Sequence, residues 1–259
     1  MDYRNLLYRR DDRYVTITLN RPERRNCLSS ELLGELEDAL RVTGTNGEVA
    51  GVVLAANGPV FSSGHDLAEM AAMGEAELHE LFRLCTSAMM AMAEIPQVVV
   101  AKVHALATAA GAQLAASADL IVASTEAGFA TPGGKGGLFC HTPMVAVARP
   151  LGRKRAVELA LTGDTIDAAT ALEWGLVNRV ATPEQLHEAT MDLLGRATRG
   201  SRYAKGIGKQ TLYAQMDMPV GEAYKLAIDV MASKAARGDG AEWPRAFIEK
   251  RHPVWTHTE

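Results

Sequence analysis

The run QVVVAKVHALATAAGAQLAASADLIVAS, residues 97–124, holds only two charged side chains, Lys102 and Asp119, in twenty-eight positions. A stretch this apolar has to be removed from water. Lys102, His104, Gln113 and Asp119 interrupt it, and its period changes along its length, so it is not a membrane span. Valines open it and predict a buried strand, small residues from Thr108 predict a tight turn into a helix, and DLIVAS predicts a second strand. Two apolar strands joined by a helix point to an α/β layer structure. At the predicted helix start the amides of Ala109, Ala110 and Gly111 have no helical acceptor and favour negative charge. Such a turn could hold an oxyanion. The first polar side chain beyond it is Gln113, which can orient water but cannot take a proton from it.

The same alternation extends to about Gly152. YVTITLNRP (14–22) reads as a strand ending at Pro22, SSELLGELEDALRV as a helix capped by Ser29 or Ser30, and VAGVVLAA as a buried strand. In EAELHELFRLCTSAMMAMAEIP, residues Leu78, Leu81, Phe82, Cys85, Met89 and Met92 share one helical face and read as core packing. Beyond Gly152 the patterns are helical, with VNRVAT as a short strand among them. A length of 259 residues is long for one average domain and short for two large ones, and 47% apolar residues exclude a disordered chain. The net charge of −4, with no long basic block, argues against nucleic acid as a partner. Cys27, Cys85 and Cys140 form no CxxC pair, so neither a disulfide framework nor a zinc site is expected. No signal-peptide core opens the chain, and a cytoplasmic location away from membranes is expected.

Two loops read as a pair. FSSGHDLAEM (61–70) predicts a strand end, a glycine turn and Asp66 ahead of a short helix. Its His65 amide and the Ala110 amide could point into one pocket, and one such donor is typically worth ~3–4 kcal/mol at a developing oxyanion. The plainer reading makes both loops ordinary strand-to-helix turns, with Asp66 a helix cap. ATPGGKGGLFC (130–140) lacks GxxxxGK[ST], so it is no phosphate loop, and its glycines suit tight turning or close backbone approach. Cys140 and His141 are neighbours that would face apart on a strand, and a structural cysteine is the simpler reading. His65 and His104 remain candidate bases.

ITLNRPERRNCLS, FSSGHDLAEM, VHALATAAGAQLAASADLIVAS, FATP, ALTGDTIDAATALEWGLVNRV and AFIEKRHPVW occur in the order found in the crotonase superfamily, the enoyl-CoA hydratase/isomerase group. The chain resembles that family nearly end to end. FATPGGKGGLFCHTP and the terminal KRHPVWTH resemble its enoyl-CoA hydratase domain-containing protein 3 branch. The resemblance implies an α/β fold, a spiral of ββα turns over residues 1–197, followed by a helical oligomerisation region over 198–259. It implies a homotrimer or a dimer of trimers. The substrate would be an acyl-CoA or enoyl-CoA thioester, coenzyme A arriving as part of it and no cofactor bound covalently. The two oxyanion amides map to His65 and Ala110, and the enolate-like charge they hold is common to the family's several reactions. Backbone around Ser63, His65 and Leu67 would line the adenine pocket. Arg24 or Arg25 would meet CoA phosphates, and Phe247 and Lys250, expected on one helix face, would reach a neighbouring subunit's CoA.

The departures from the family bear on chemistry. Its two hydratase glutamates fall at Gln113 and Gly133, so both carboxylates are missing, and Ala109 and Ala110 replace the turn's usual glycines. Alanine fits there if both residues have helical dihedrals. General acid–base assistance typically contributes ~10²–10⁴ in rate, so ordinary hydration is not expected to be fast. A relocated acid or base would be sought at His141, His104, Cys140 or Asp66. The alternatives are a non-catalytic acyl-CoA binder or a different reaction of the same kind, such as thioester hydrolysis or isomerisation.

Overall fold

Residues 2–258 are described by a computed structural model. The outer ends of the two expected regions, Met1 and Glu259, lie outside the described residues. The first hairpin pairs β1 (Leu6–Asp11) with β2 (Tyr14–Leu19), and β1 has too much charge to be recognised from sequence. From β2 the sheet continues in parallel through β3 (Gly51–Ala56), β4 (Val98–Val103), β6 (Leu120–Ser124) and β9 (Arg179–Ala181). Val15, Ile17, Val52, Leu54, Val99 and Ala101 belong to one core, with α1 (Ser30–Thr45) and α3 (Glu75–Glu94) packed over it. The alternate residues Val53, Ala55, Val100 and Val122 pack against Leu186 and Leu194 of α8 (Leu186–Ala197). A strand buried on both faces is apolar throughout, which is why β3 and β4 read as continuous valine runs.

Each turn of the chain adds a strand, a short second extended piece and a helix. The turns through β4 and β6 continue into β5 (Ala107–Thr108) and β7 (Gly128–Ala130), and these pair in parallel in a second, three-stranded sheet completed by β8 (Ile166–Asp167). Isolated parallel bridges continue that stack: Ser62 lies beside Ala107, and Leu28 beside His65. The chain is therefore a spiral of ββα turns. After β3 the turn ends in α2 (Leu67–Met70) and α3, and after β5 it ends in α4 (Ala110–Ala116). His65 and Ala110 thus occupy corresponding places in successive turns, although 45 residues separate them in sequence.

The caps follow local chemistry. Ser29 accepts from the Leu32 amide at the start of α1, and Asp66 accepts from Ala68 and Glu69 at the start of α2. Leu81, Cys85, Met89 and Met92 of α3 are buried as core, as their spacing predicts. Cys140 and His141 stand at the start of α5 (His141–Leu151) and not on a strand, which corrects the opposite-face expectation.

After Thr198 the chain is helical: α9 (Arg202–Gln215), α10 (Val220–Ala235) and α11 (Gly238–Ile248). Lys209 of α9 donates to the carbonyls of Met92 (2.5 Å) and Gln97 (2.7 Å) and pairs with Asp119 at 2.8 Å. On α10 no side chain is buried, and Val220, Tyr224, Ile228 and Met231 form an exposed apolar stripe at helical spacing. No helix among the described residues is long and apolar enough to cross a membrane.

Candidate active site

Two loops meet at the end of the parallel strands. Gly64 has φ +88°, a left-handed conformation. A Cβ at Gly111 would lie 2.3 Å from the Ser62 carbonyl oxygen, so glycine there is what lets α4 press against the first loop. The Ser62 carbonyl accepts from Thr108, and the Ala109 amide donates to Ala130. The amides of His65 and Ala110 donate to no acceptor among the described residues. Two free donors at the ends of adjacent loops, one of them opening a helix, form a place for negative charge.

Ala110 is the first helical residue, as expected, but Ala109 is not helical. Its φ of 52° and ψ of −121° are suited to glycine, which corrects the expectation that both alanines sit comfortably in the turn. Such a conformation typically costs ~1–3 kcal/mol. Ala109→Gly is expected to stabilise the protein by about 1 kcal/mol after the extra freedom of glycine in the unfolded chain is deducted. Thermal unfolding would then rise by roughly 2–4 °C. An unchanged midpoint would mean the turn carries no strain.

Three of the four proposed replacement acids or bases, Asp66, His104 and Cys140, are held by other groups, and the fourth, His141, lies exposed. Asp66 pairs with Arg24 at 3.3 Å and Arg21 at 3.5 Å and accepts from the Cys27 thiol at 3.2 Å. Burial works to raise its pKa, but the hydrogen bonds and the Arg24 charge outweigh this and hold it below the usual carboxylate range. His104 Nε2 is hydrogen-bonded to the Gly58 carbonyl at 2.8 Å. Cys140 is buried, which pushes its thiol up, and its Sγ accepts from the Gly133 amide at 3.3 Å. His141 is exposed, with its ring 5.1 Å from Phe139. The His65 ring packs edge-on to Phe82, and burial pushes its pKa down to about 4, so the imidazole is neutral near pH 7.

Gln113 is 4% exposed, and its Oε1 has no hydrogen-bond partner among the described residues. It stands one turn beyond Ala110 on α4, and side chains on a helix lean toward its N-terminus. The amide therefore leans over the turn that carries the free Ala110 donor. At Gly133 a Cβ would lie 2.1 Å from the Leu138 carbonyl oxygen and 2.8 Å from Cys140 Sγ. The backbone and the thiol fill the space that a side chain there would need.

The remaining positions divide. Arg25 is exposed, with φ 52°, while Arg24 is held by Asp66. The Ser63 amide donates to the Arg25 carbonyl at 3.1 Å, and Leu67 is exposed. Phe247 lies exposed on α11, but Lys250 falls beyond the helix end with φ 54°, so the two do not share a helix face. This corrects the three-residue spacing argument, which holds only while the helix continues. Sequence reading missed Asn26. Its buried side chain accepts from the Arg21 amide and donates to the carbonyls of Asn57 and Val60, tying the arginine loop to the loop before His65. Its φ of 49° is one that asparagine tolerates, and that was the only local signal.

A profile of the enoyl-CoA hydratase/isomerase family matches residues 10–258. The chain belongs to that family. It is 41% identical over 250 residues to the mouse mitochondrial enoyl-CoA hydratase domain-containing protein 3, covering 96% of this chain and 83% of that protein. This agrees with the branch that the terminal motifs resemble. The trans-2-decenoyl-[acyl-carrier-protein] isomerase of Streptococcus mutans is 32% identical, with 99% of each chain covered. The crystal structure of an enoyl-CoA hydratase from Mycobacterium smegmatis superposes with a TM-score of 0.94 at 42% identity, covering 98% of this chain and 100% of the other. Crotonase-family membership and the spiral fold expected from the motifs are thereby established.

Proposed function

We propose that this protein binds acyl-CoA thioesters and stabilises the enolate-like charge on their carbonyl oxygen with the His65 and Ala110 amides, while hydrating enoyl-CoA poorly. The observation that carries this reading is the presence of two amides without acceptors in successive spiral turns. A thioester oxygen accepting from both would gain most as it becomes an oxyanion, because the donors are fixed before the reaction begins. Hydration also requires a group that takes a proton from water and one that returns it. A neutral amide at Gln113 and a glycine at 133 supply neither. Arg24 and Arg25 would face the CoA phosphates, and backbone near Ser63 and Leu67 the adenine. Phe247 and Lys250 would extend to a neighbour's CoA within a homotrimer or a dimer of trimers. The exposed stripe of α10 supports association through the C-terminal helices. Three free, buried thiols support a reducing compartment, which we take to be the cytoplasm.

Isomerisation is the second reading, supported by the name of the Streptococcus relative. With no carboxylate at 113 or 133, thioester hydrolysis would need water activated by another group, and a binder without turnover would need only the oxyanion and CoA contacts. Acetoacetyl-CoA tests the common element, because its enolate has its own ultraviolet absorbance. One donor is worth ~3–4 kcal/mol at an oxyanion and a pKa unit about 1.4 kcal/mol, so the bound ligand is expected to form its enolate at least about two pH units below the free ligand. Binding without any such shift would remove the oxyanion reading.

A further inference from the structure

We propose that the cavity at the opening ends of β3 and β4 is a second ligand site, one that takes a small organic anion carrying a hydroxyl group. One side of the cavity is formed by Ala50, just before β3, and Gln97, just before β4. The loops of His65 and Ala110 follow the far ends of those strands, and six residues of strand span about 20 Å. The other side is the start of α9, with Arg202 and Lys205, and His257 of the C-terminal tail. The space is about 280 Å³, near the lower end of the range for small-molecule sites and too small for a CoA thioester.

Two unpartnered atoms set the chemistry. Gln97 is 3% exposed; its Nε2 donates to the Asn46 carbonyl at 3.1 Å, and its Oε1 has no partner among the described residues. Arg202 Nε is buried and has no partner among them either. Such atoms are uncommon in a folded protein and point to a missing ligand group or water. The glutamine oxygen calls for a donor. The guanidinium calls for an acceptor, best an anion, because a charge-assisted hydrogen bond is about twice as strong as a neutral one. None of the lining side chains among the described residues is acidic, and Lys205 adds a second cation. Glu48, whose pKa the Arg202 charge helps to lower, is held by Arg10 at 2.7 Å. Water offers a donor and an acceptor but no charge to set against the two cations. An ammonium would be repelled by them, so the donor that fits Gln97 is a neutral hydroxyl. The tail fixes the Arg202 end: His257 Nδ1 accepts from the Arg202 amide at 3.2 Å, and the buried Asp239 accepts from the amides of Thr256 and His257.

The test is equilibrium titration of the intact protein with 2-, 3- and 4-hydroxybutyrate, each against butyrate, and with glycerol 3-phosphate, all repeated with free CoA at saturation. Binding at millimolar concentration or below is expected, unchanged by CoA. Leaving a buried acceptor unpaired typically weakens binding about tenfold, so one hydroxybutyrate is expected to bind about tenfold tighter than butyrate. The site takes a hydroxylated anion whether carboxylate or phosphate is held more tightly, and the glycerol 3-phosphate titration tells which. Arg202→Met is expected to weaken every anion by at least about tenfold. Gln97→Met is expected to bring the hydroxyl preference to near one while butyrate still binds, and a ratio of two ligands on one protein is not imitated by a general loss of folding. Lys205→Met, at an exposed position, is expected to weaken the anions several-fold and keeps the test open if Arg202→Met does not fold. Failure of every probe to bind, affinities indifferent to these substitutions, or displacement of the probes by CoA would overturn the second site, whatever becomes of thioester binding.

Discussion

Lys209→Met is expected to destabilise the protein by about 3–5 kcal/mol, because it leaves a buried carboxylate without its counter-charge. The side chains of Lys209 and Asp119 are 8% and 12% exposed, and they meet at 2.8 Å. Burial works against both charges, pushing Asp119 up and Lys209 down, and their mutual attraction and hydrogen bonds oppose it. Asp119 also accepts from the Val99 amide and the Tyr213 hydroxyl, and Lys209 donates to the Met92 carbonyl near the end of α3. One cation therefore ties α9 to a helix end and to the strand edges of β4 and β6. At roughly 2–4 °C per kcal/mol, thermal unfolding should move down by more than about 6 °C. Adding Asp119→Asn to Lys209→Met should recover part of the loss, since no unpaired charge then stays buried. A single-variant effect within the range of ordinary surface substitutions, about 0.5 kcal/mol, would show that water reaches the pair.

That network also shows where sequence legibility stopped. Lys209 and Asp119 lie 90 positions apart and neither has a local pattern that names the other. By contrast the valine run of β4, the Ser29 cap and the buried face of α3 were legible because propensity, period and capping are local properties. The family motifs carried the spiral, in which the stacking of successive turns sets the loops of His65 and Ala110 beside each other. No residue-by-residue reading could supply the backbone of Ala109, since alanine gives no warning of a positive φ. Phe247 and Lys250 show the converse: correct spacing, but a helix that ends at Ile248. The two-residue strand β8 was read as part of a helix, because only its pairing with β7 makes it a strand.

Gln113→Glu is expected to raise crotonyl-CoA hydration by about 10² or more over the wild type, as general-base assistance typically does. The exchange keeps the side-chain length and places an acid where Oε1 now has no partner. Burial would raise the new acid's pKa toward the range in which a carboxylate is a useful base at neutral pH. Loss of the conjugated thioester absorbance, with mass spectrometry of the product, measures the gain. Gly133→Glu is expected to yield none and to disturb the loop, because its Cβ meets the Leu138 carbonyl and the Cys140 thiol. The site can therefore regain one carboxylate by a single exchange, whereas the second requires residues 133–140 to move. Wild-type hydration already equal to that of Gln113→Glu would mean that a base acts from outside these positions, and His141, the most exposed of the candidates, would be the first to replace. A slow wild type with a fast variant would mean that the oxyanion site is intact and that the missing proton acceptor alone separates this chain from a hydratase.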